Sequence, residues 1–216
     1  MNMSEKNIPF ETMTERYPSL SGCTESIEKA IAVIVQAFKG GNMLLLCGNG
    51  GSSADCDHIS GELLKGFLSE RSLSAEDKRA FSSYEGGQTL AECLQYGLPA
   101  IPLHAFSAAS TAFGNDVDPM AFYAQMVMAL GRPGDVLLGI STSGNAENVY
   151  KAVVTAKARG LLTIGLTGKN KSRLSDLCDV CIQVPETETY LVQELHLPVY
   201  HAICGAVEEL AANAAQ

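Results

Sequence analysis

Met43–Phe67 reads MLLLCGNGGSSADCDHISGELLKGF, and its three parts set the architecture of the chain. Met43 to Cys47 is a short apolar run without helical spacing, which suits a strand covered on both faces in a parallel sheet. Gly48-Asn49-Gly50-Gly51-Ser52-Ser53 follows at once. Its glycines allow positive φ and close backbone approach, while its serine hydroxyls and the first N–H groups of the next helix suit an anion. A turn of this kind also serves simply to reverse a chain. Beyond it, Ile59, Leu63 and Phe67 recur at i, i+4 and i+8 and predict a helix with one apolar face. His58 and Glu62 lie four residues apart on that helix, so both reach one metal ion or one substrate carbon, or bond to each other.

The turn excludes the common nucleotide motifs. Ser53 stands where the dinucleotide pattern G-x-G-x-x-G needs its last glycine. The one Gly-Lys pair, Gly168-Lys169, is followed by Asn170 and has Thr163 at the first glycine position of a P-loop. A small phosphorylated molecule fits the turn better.

Outward from this stretch the pattern repeats. On the N-terminal side, Ile27, Ile31, Ile34 and Phe38 form one face of a helix over 22–39, stopped by Gly40-Gly41. On the C-terminal side, Leu68–Gly87 is polar, charged and serine-rich, and reads as an inserted surface loop or short helix near the site. TLAECLQYG then predicts a helix, LPAIPLH a strand, and Asp118-Pro119 the start of another helix. Asp135–Ile140 is the next buried strand, followed by Ser141-Thr142-Ser143-Gly144-Asn145 and the helix AENVYKAVVTAKARG. LLTIGLTG and VCIQVP are strands around a short helical segment, and Thr189–Ala212 is the closing helix. Strands alternating with helices predict an α/β fold, a doubly wound parallel sheet flanked by helices.

Composition narrows the class. At 216 residues, with 46% hydrophobic and 18% charged residues, the chain suits one domain with a sizeable core. No apolar run approaches the roughly 18 residues of a membrane span, and the N-terminus lacks a basic region followed by an apolar stretch, so a cytoplasmic protein is expected. The seven cysteines are odd in number and scattered, as reduced thiols would be. Cys178-Asp179-Val180-Cys181 has no second pair for zinc and leads into a strand, which favours a structural role. A net charge of −9 without a Lys/Arg cluster argues against a nucleic-acid surface.

The second turn, Ser141-Thr142-Ser143-Gly144-Asn145, sets three hydroxyls between a strand end and a helix N-terminus. These donate to phosphate oxygens or cap the helix. It is not a nucleophile elbow, because Ser143 replaces the final glycine of G-x-S-x-G. Two such turns at strand C-terminal ends place two anion-friendly loops on one edge of a parallel sheet. In the closing helix, Gln193 and His201 are eight residues apart, roughly 12 Å along a straight helix. Reaching one ion from both requires a late start, a kink at Pro198, or two subunits; His196 is the competing donor.

With CGNGGSSADCDHISGEL, FGND at Phe113–Asp116, GDVLLGISTSGNAENV and the QELH segment assembled, the chain closely resembles the phosphoheptose isomerases of the sugar isomerase (SIS) fold over nearly its whole length. The resemblance implies a single SIS domain over 1–216 of flavodoxin-like three-layer form, with a helical N-terminal segment 1–40 and an insertion at 68–87. It implies interconversion of sedoheptulose 7-phosphate and D-glycero-D-manno-heptose 7-phosphate through an enediol. By the same resemblance Ser141, Thr142 and Ser143 hold the phosphate, and Asn49, Gly50, Gly51, Ser52, Asn115, Asp116 and Gln193 line the substrate. Zinc is implied on His58, Glu62, Gln193 and His201, with Glu62 and His201 moving the protons, in a homotetramer whose sites lie between subunits. The alternatives are a non-catalytic member that senses a sugar phosphate or binds a protein, and an isomerase of another ketose phosphate. Three features depart from the family: Ala146 where serine usually follows STSGN, the insertion, and Pro198 inside the closing helix.

Overall fold

The computed structural model describes residues 8–212. Helix α1 (Ile8–Arg16) and a 3₁₀ turn at Pro18–Cys23 lead into α2 (Thr24–Lys39), β1 (Leu44–Gly48) and α3 (Gly51–Leu64). The segment expected as an insertion carries α4 (Ala75–Ala80) and runs into α5 (Gly87–Cys93) before β2 (Ala100–Pro102). Then come α6 (Ser107–Asp116), α7 (Phe122–Leu130), β3 (Val136–Ser141), α8 (Glu147–Ala158), β4 (Leu162–Thr167), α9 (Arg173–Leu177), β5 (Val180–Gln183) and α10 (Thr189–Ala212). The first seven residues of the expected helical segment lie outside the described residues.

The five strands form one parallel sheet in the order β2-β1-β3-β4-β5. Every residue of β1 and β3 is buried, as their apolar runs predict. Alternation sorts them by face. Leu44 and Leu46 point into a core built with α2, α3 and α10, while Leu45 and Cys47 pack with α7 and α8. This is the expected three-layer α/β fold. Buried Asp135 ties the N-terminal ends of the two central strands, accepting from the amides of Met43 at 2.9 Å and Arg132 at 2.8 Å.

Differences from the sequence reading have local causes. LPAIPLH pairs over only three residues, because Pro102 has no N–H to donate and the chain turns into a 3₁₀ turn at Leu103–Ala105. Helix α6 buries none of its residues, so it leaves no apolar period to detect. The cysteines are free thiols, and burial pushes Cys178 up to about 12, which suits the structural reading of the C-x-x-C pair. Among the described residues no helix is long and apolar enough to cross a membrane.

Candidate active site

Chain order reverses between β1 and β3, because β1 continues to β2 on one side of the sheet and pairs with β3 on the other. A crevice opens at the carboxyl ends of strands on either side of such a switch point. Both hydroxyl-rich turns lie there. The cleft between them, about 360 Å³, is lined by Asn49, Gly50, Gly51, Ser52, Ser141, Thr142 and Ser143 together with Ala146, Thr189 and Gln193.

Each turn is locked from outside the cleft. Asn49 and Asn148 exchange two amide hydrogen bonds of 2.8 Å, which join the first turn to the start of α8. The amides of Gly168 and Leu174 donate to the carbonyls of Thr142 and Gly144. Gly144 has φ +65 and lies against the Ser172 side chain, so both backbone strain and lack of space exclude a larger residue. Gly50, at φ +55, turns the chain into α3.

Two helix N-termini open on the cleft and suit an anion. Helices α3 and α8, which start at the cleft, have no side-chain cap, as is also true of α2, α5, α6 and α7. The Ser143 hydroxyl accepts from Asn145 within the turn instead. Uncapped N-termini leave N–H groups and the positive end of the helix dipole to a ligand.

The polar candidates beyond the first turn of α3 meet α10. His58 Nε2 lies 3.1 Å from Glu62 Oε1 and 3.5 Å from His201 Nε2. One donor atom from each of the three residues falls within 4.8 Å of the others, a group able to hold a metal ion. Burial, reinforced by the neighbouring His58, lowers the pKa of His201, while Glu62 opposes this. Helix α10 starts at Thr189, runs through Pro198 and brings His201 to His58 and Glu62, while the spacing that separates Gln193 from His201 persists. Gln193, two turns earlier, packs against Gly51 at the mouth of the cleft. These three donors therefore need no second subunit.

Other expected residues fall elsewhere. His196 is fully buried in the core, where desolvation lowers its pKa to about 4 against an opposing effect of the Thr167 backbone. Asn115 donates to Asp116 at 2.9 Å on the exposed end of α6, and neither lines the cleft. The sequence reading missed Asp55 and Tyr200. Tyr200 Oη lies 2.9 Å from His58 Nδ1, and Asp55 stands beside it with Oδ2 sealed from solvent. Asp55, His58 and Glu62 at i, i+3 and i+7 form a polar stripe on α3, and that stripe was the available signal for Asp55.

SIS domain models match residues 13–76 and 111–203. A phosphoheptose isomerase of Rhodospirillum rubrum is 35% identical over 92% of this chain and 93% of its own length. One from Crocosphaera subtropica is 41% identical over 85% of this chain and 81% of its own length. The solved phosphoheptose isomerase of Neisseria gonorrhoeae superposes with a TM-score of 0.71 at 30% identity, covering 94% of this chain and 93% of that one. With matching sequence, matching fold and a switch-point cleft beside three convergent donors, the chain belongs to the phosphoheptose isomerase family of SIS-domain proteins.

Proposed function

We propose that the protein is an aldose–ketose isomerase converting sedoheptulose 7-phosphate to D-glycero-D-manno-heptose 7-phosphate. One observation carries the reading: an imidazole–carboxylate–imidazole group stands two turns along α3 from an anion cleft. Gly51 and His58 are seven residues apart, roughly 10 Å of helix, a span that the extended chain of a seven-carbon sugar phosphate covers.

In this reading Ser141, Thr142 and Ser143 bind the phosphate with the amide edges of α3 and α8, and Asn49, Gly50, Gly51, Ser52 and Gln193 hold the sugar, with Asn115 and Asp116, which do not line their own chain's cleft, reaching it from a neighbouring subunit. Moving the carbonyl between C1 and C2 requires a proton to leave one carbon and reach the other through an enediol. Glu62 and His201 are the pair for those transfers. A lowered imidazole pKa keeps His201 neutral near pH 7, able to accept a proton and return it. Anchoring the phosphate fixes the reacting end against them.

Two imidazoles and a carboxylate with an open position are the donor set of a catalytic zinc, so His58, Glu62 and His201 fit that ion; Gln193, which packs two turns away against Gly51, joins them as a fourth donor only from a second subunit. Zinc, when bound, supplies a Lewis acid for the substrate's carbonyl and neighbouring oxygen. In this reading the protein is a cytoplasmic homotetramer with sites between subunits, which light scattering would report as four times the chain mass. The sensing and protein-binding alternatives rest on fold likeness alone and do not account for the three convergent donors.

The test is turnover of sedoheptulose 7-phosphate followed by NMR, with and without added zinc. An aldoheptose 7-phosphate should form. Glu62→Gln should abolish turnover, at least a thousandfold, while folding and phosphate binding persist. Substantial residual turnover in that variant would remove Glu62 from the proton-transfer role.

A further inference from the structure

Tyr200 is 2% exposed and serves no part of the mechanism above. Its ring stands edge-on to His58, with centroids 5.4 Å apart, and its hydroxyl lies 2.9 Å from Nδ1. The same hydroxyl adjoins Asp55, one turn before His58 on α3, whose Oδ2 is sealed from solvent with no hydrogen-bond partner at normal length. A sealed carboxylate oxygen beside a phenol beside an imidazole leaves little freedom in the direction of the bonds.

Neutral His58 has two tautomers. With its proton on Nε2, it donates to Glu62 Oε1 at 3.1 Å, and Nδ1 accepts from Tyr200. With the proton on Nδ1, the Nε2 lone pair faces Glu62 and His201 and is available to a cation. The second arrangement requires the Tyr200 oxygen to accept from Nδ1–H and its own proton to find another acceptor. Asp55 is that acceptor.

We propose that Tyr200 is a positioning residue for a metal site on His58, Glu62 and His201, its hydroxyl accepting from His58 Nδ1–H and donating to Asp55, so that Nε2 keeps its lone pair. No net proton is gained or lost between the two arrangements: one proton moves from Nε2 to Nδ1, and the phenolic proton turns from histidine to aspartate. Carboxylates that orient a metal-ligating histidine usually bond it directly. Here the side chain of the residue next to His201 is interposed, so one turn of α10 supplies both a metal donor and the group that orients another.

This inference rests on the metal reading of the site, and the experiment separates the two. The purified full chain, its Tyr200→Phe and Asp55→Asn variants, and a His58→Ala control are titrated with zinc against a competing chromogenic chelator, with thermal melts and inorganic phosphate binding measured alongside. Wild type should take up one zinc per chain. Tyr200→Phe should weaken zinc binding by about 10- to 100-fold while leaving phosphate binding unchanged. Asp55→Asn, which retains a weaker acceptor, should fall between the two and carries the test if the buried Tyr200→Phe chain fails to fold. Affinity within twofold of wild type in a folded Tyr200→Phe chain, or in Asp55→Asn if that chain does not fold, would overturn the role of Tyr200 and leave the metal reading intact. A wild-type chain that takes up no zinc overturns both.

Discussion

His196 shows how a single side chain carries two kinds of information. In sequence it is the competing metal donor of the closing helix, although its place three residues after Gln193 also suits a partner or a core residue. In the fold it is fully buried with neither ring nitrogen partnered, and burial lowers its pKa to about 4 from 6.5. The unfolded chain therefore binds a proton that the native state refuses between those values, so stability falls as pH drops through that window. The full effect is about 3 kcal/mol. Asp55, raised to about 6 by burial, has the opposite sign, since its contribution is lost as pH rises through 6. The difference between wild type and His196→Leu isolates the histidine: in urea unfolding the variant should gain stability relative to wild type on going from pH 7.5 to pH 4.5. A pH-independent difference would mean that His196 finds a partner in the fold. Local spacing identified His58 and Glu62 because one helix holds both. Tyr200 was illegible because its relation to His58 exists only across the α3–α10 contact, 142 positions apart in the chain.

Helix α10 shows what an element adds beyond its residues. Its extent was legible, since apolar residues recur through Thr189–Ala212, and Pro198 does not end it. Its last turns also secure the segment that follows α3, a contact that nothing in the sequence signals. Glu208, 2% exposed, accepts from the amides of Phe67, Leu68 and Ser69 at 2.8, 2.7 and 3.1 Å, and lies 3.4 Å from buried Arg71. Arg71 in turn donates to the carbonyls of Leu63 and Lys65 at the end of α3. The Phe67 ring packs 5.8 Å from His201, so this latch also braces the donor group. Glu208→Ala strands a buried guanidinium and three amides. A loss of roughly 3–5 kcal/mol is expected in urea unfolding, with a smaller loss for Glu208→Gln; an unchanged midpoint would show that the latch carries no stability. Helix α6 is the reverse case, an element invisible to periodicity because it buries nothing.

At the scale of the whole molecule, the sheet order explains why the candidate cleft was legible before the fold was seen. Two strand–turn–helix units with similar hydroxyl-rich turns mark two strand ends, and a parallel sheet puts such ends on one edge. Their adjacency, β1 beside β3, was not legible, because strand order is decided by packing among all the layers. A ligand held by both turns stabilises the native state alone, by about 2.7 kcal/mol at a hundred times its dissociation constant. For a chain of this size that raises the melting temperature by roughly 5–10 °C. Sedoheptulose 7-phosphate should produce such a rise, and Ser143→Ala should reduce it; equal shifts in both proteins would take Ser143 out of the contact.

The same strand order has a consequence for synthesis. Leu44 pairs with Val136, and His58 meets His201 across 143 positions. A chain leaving the ribosome therefore carries the first turn, His58 and Glu62 long before the strand and helix that complete them exist. Domains generally fold as units as they emerge, N-terminal first, and long loops must close before distant contacts form. This sheet cannot set its central pair until its third strand is made, and the three donors cannot converge until α10 follows. No partial translation product holds the assembled cleft and donor group, so a chain interrupted before His201 lacks one of the three donors proposed for a metal and one of the two residues proposed to move the proton.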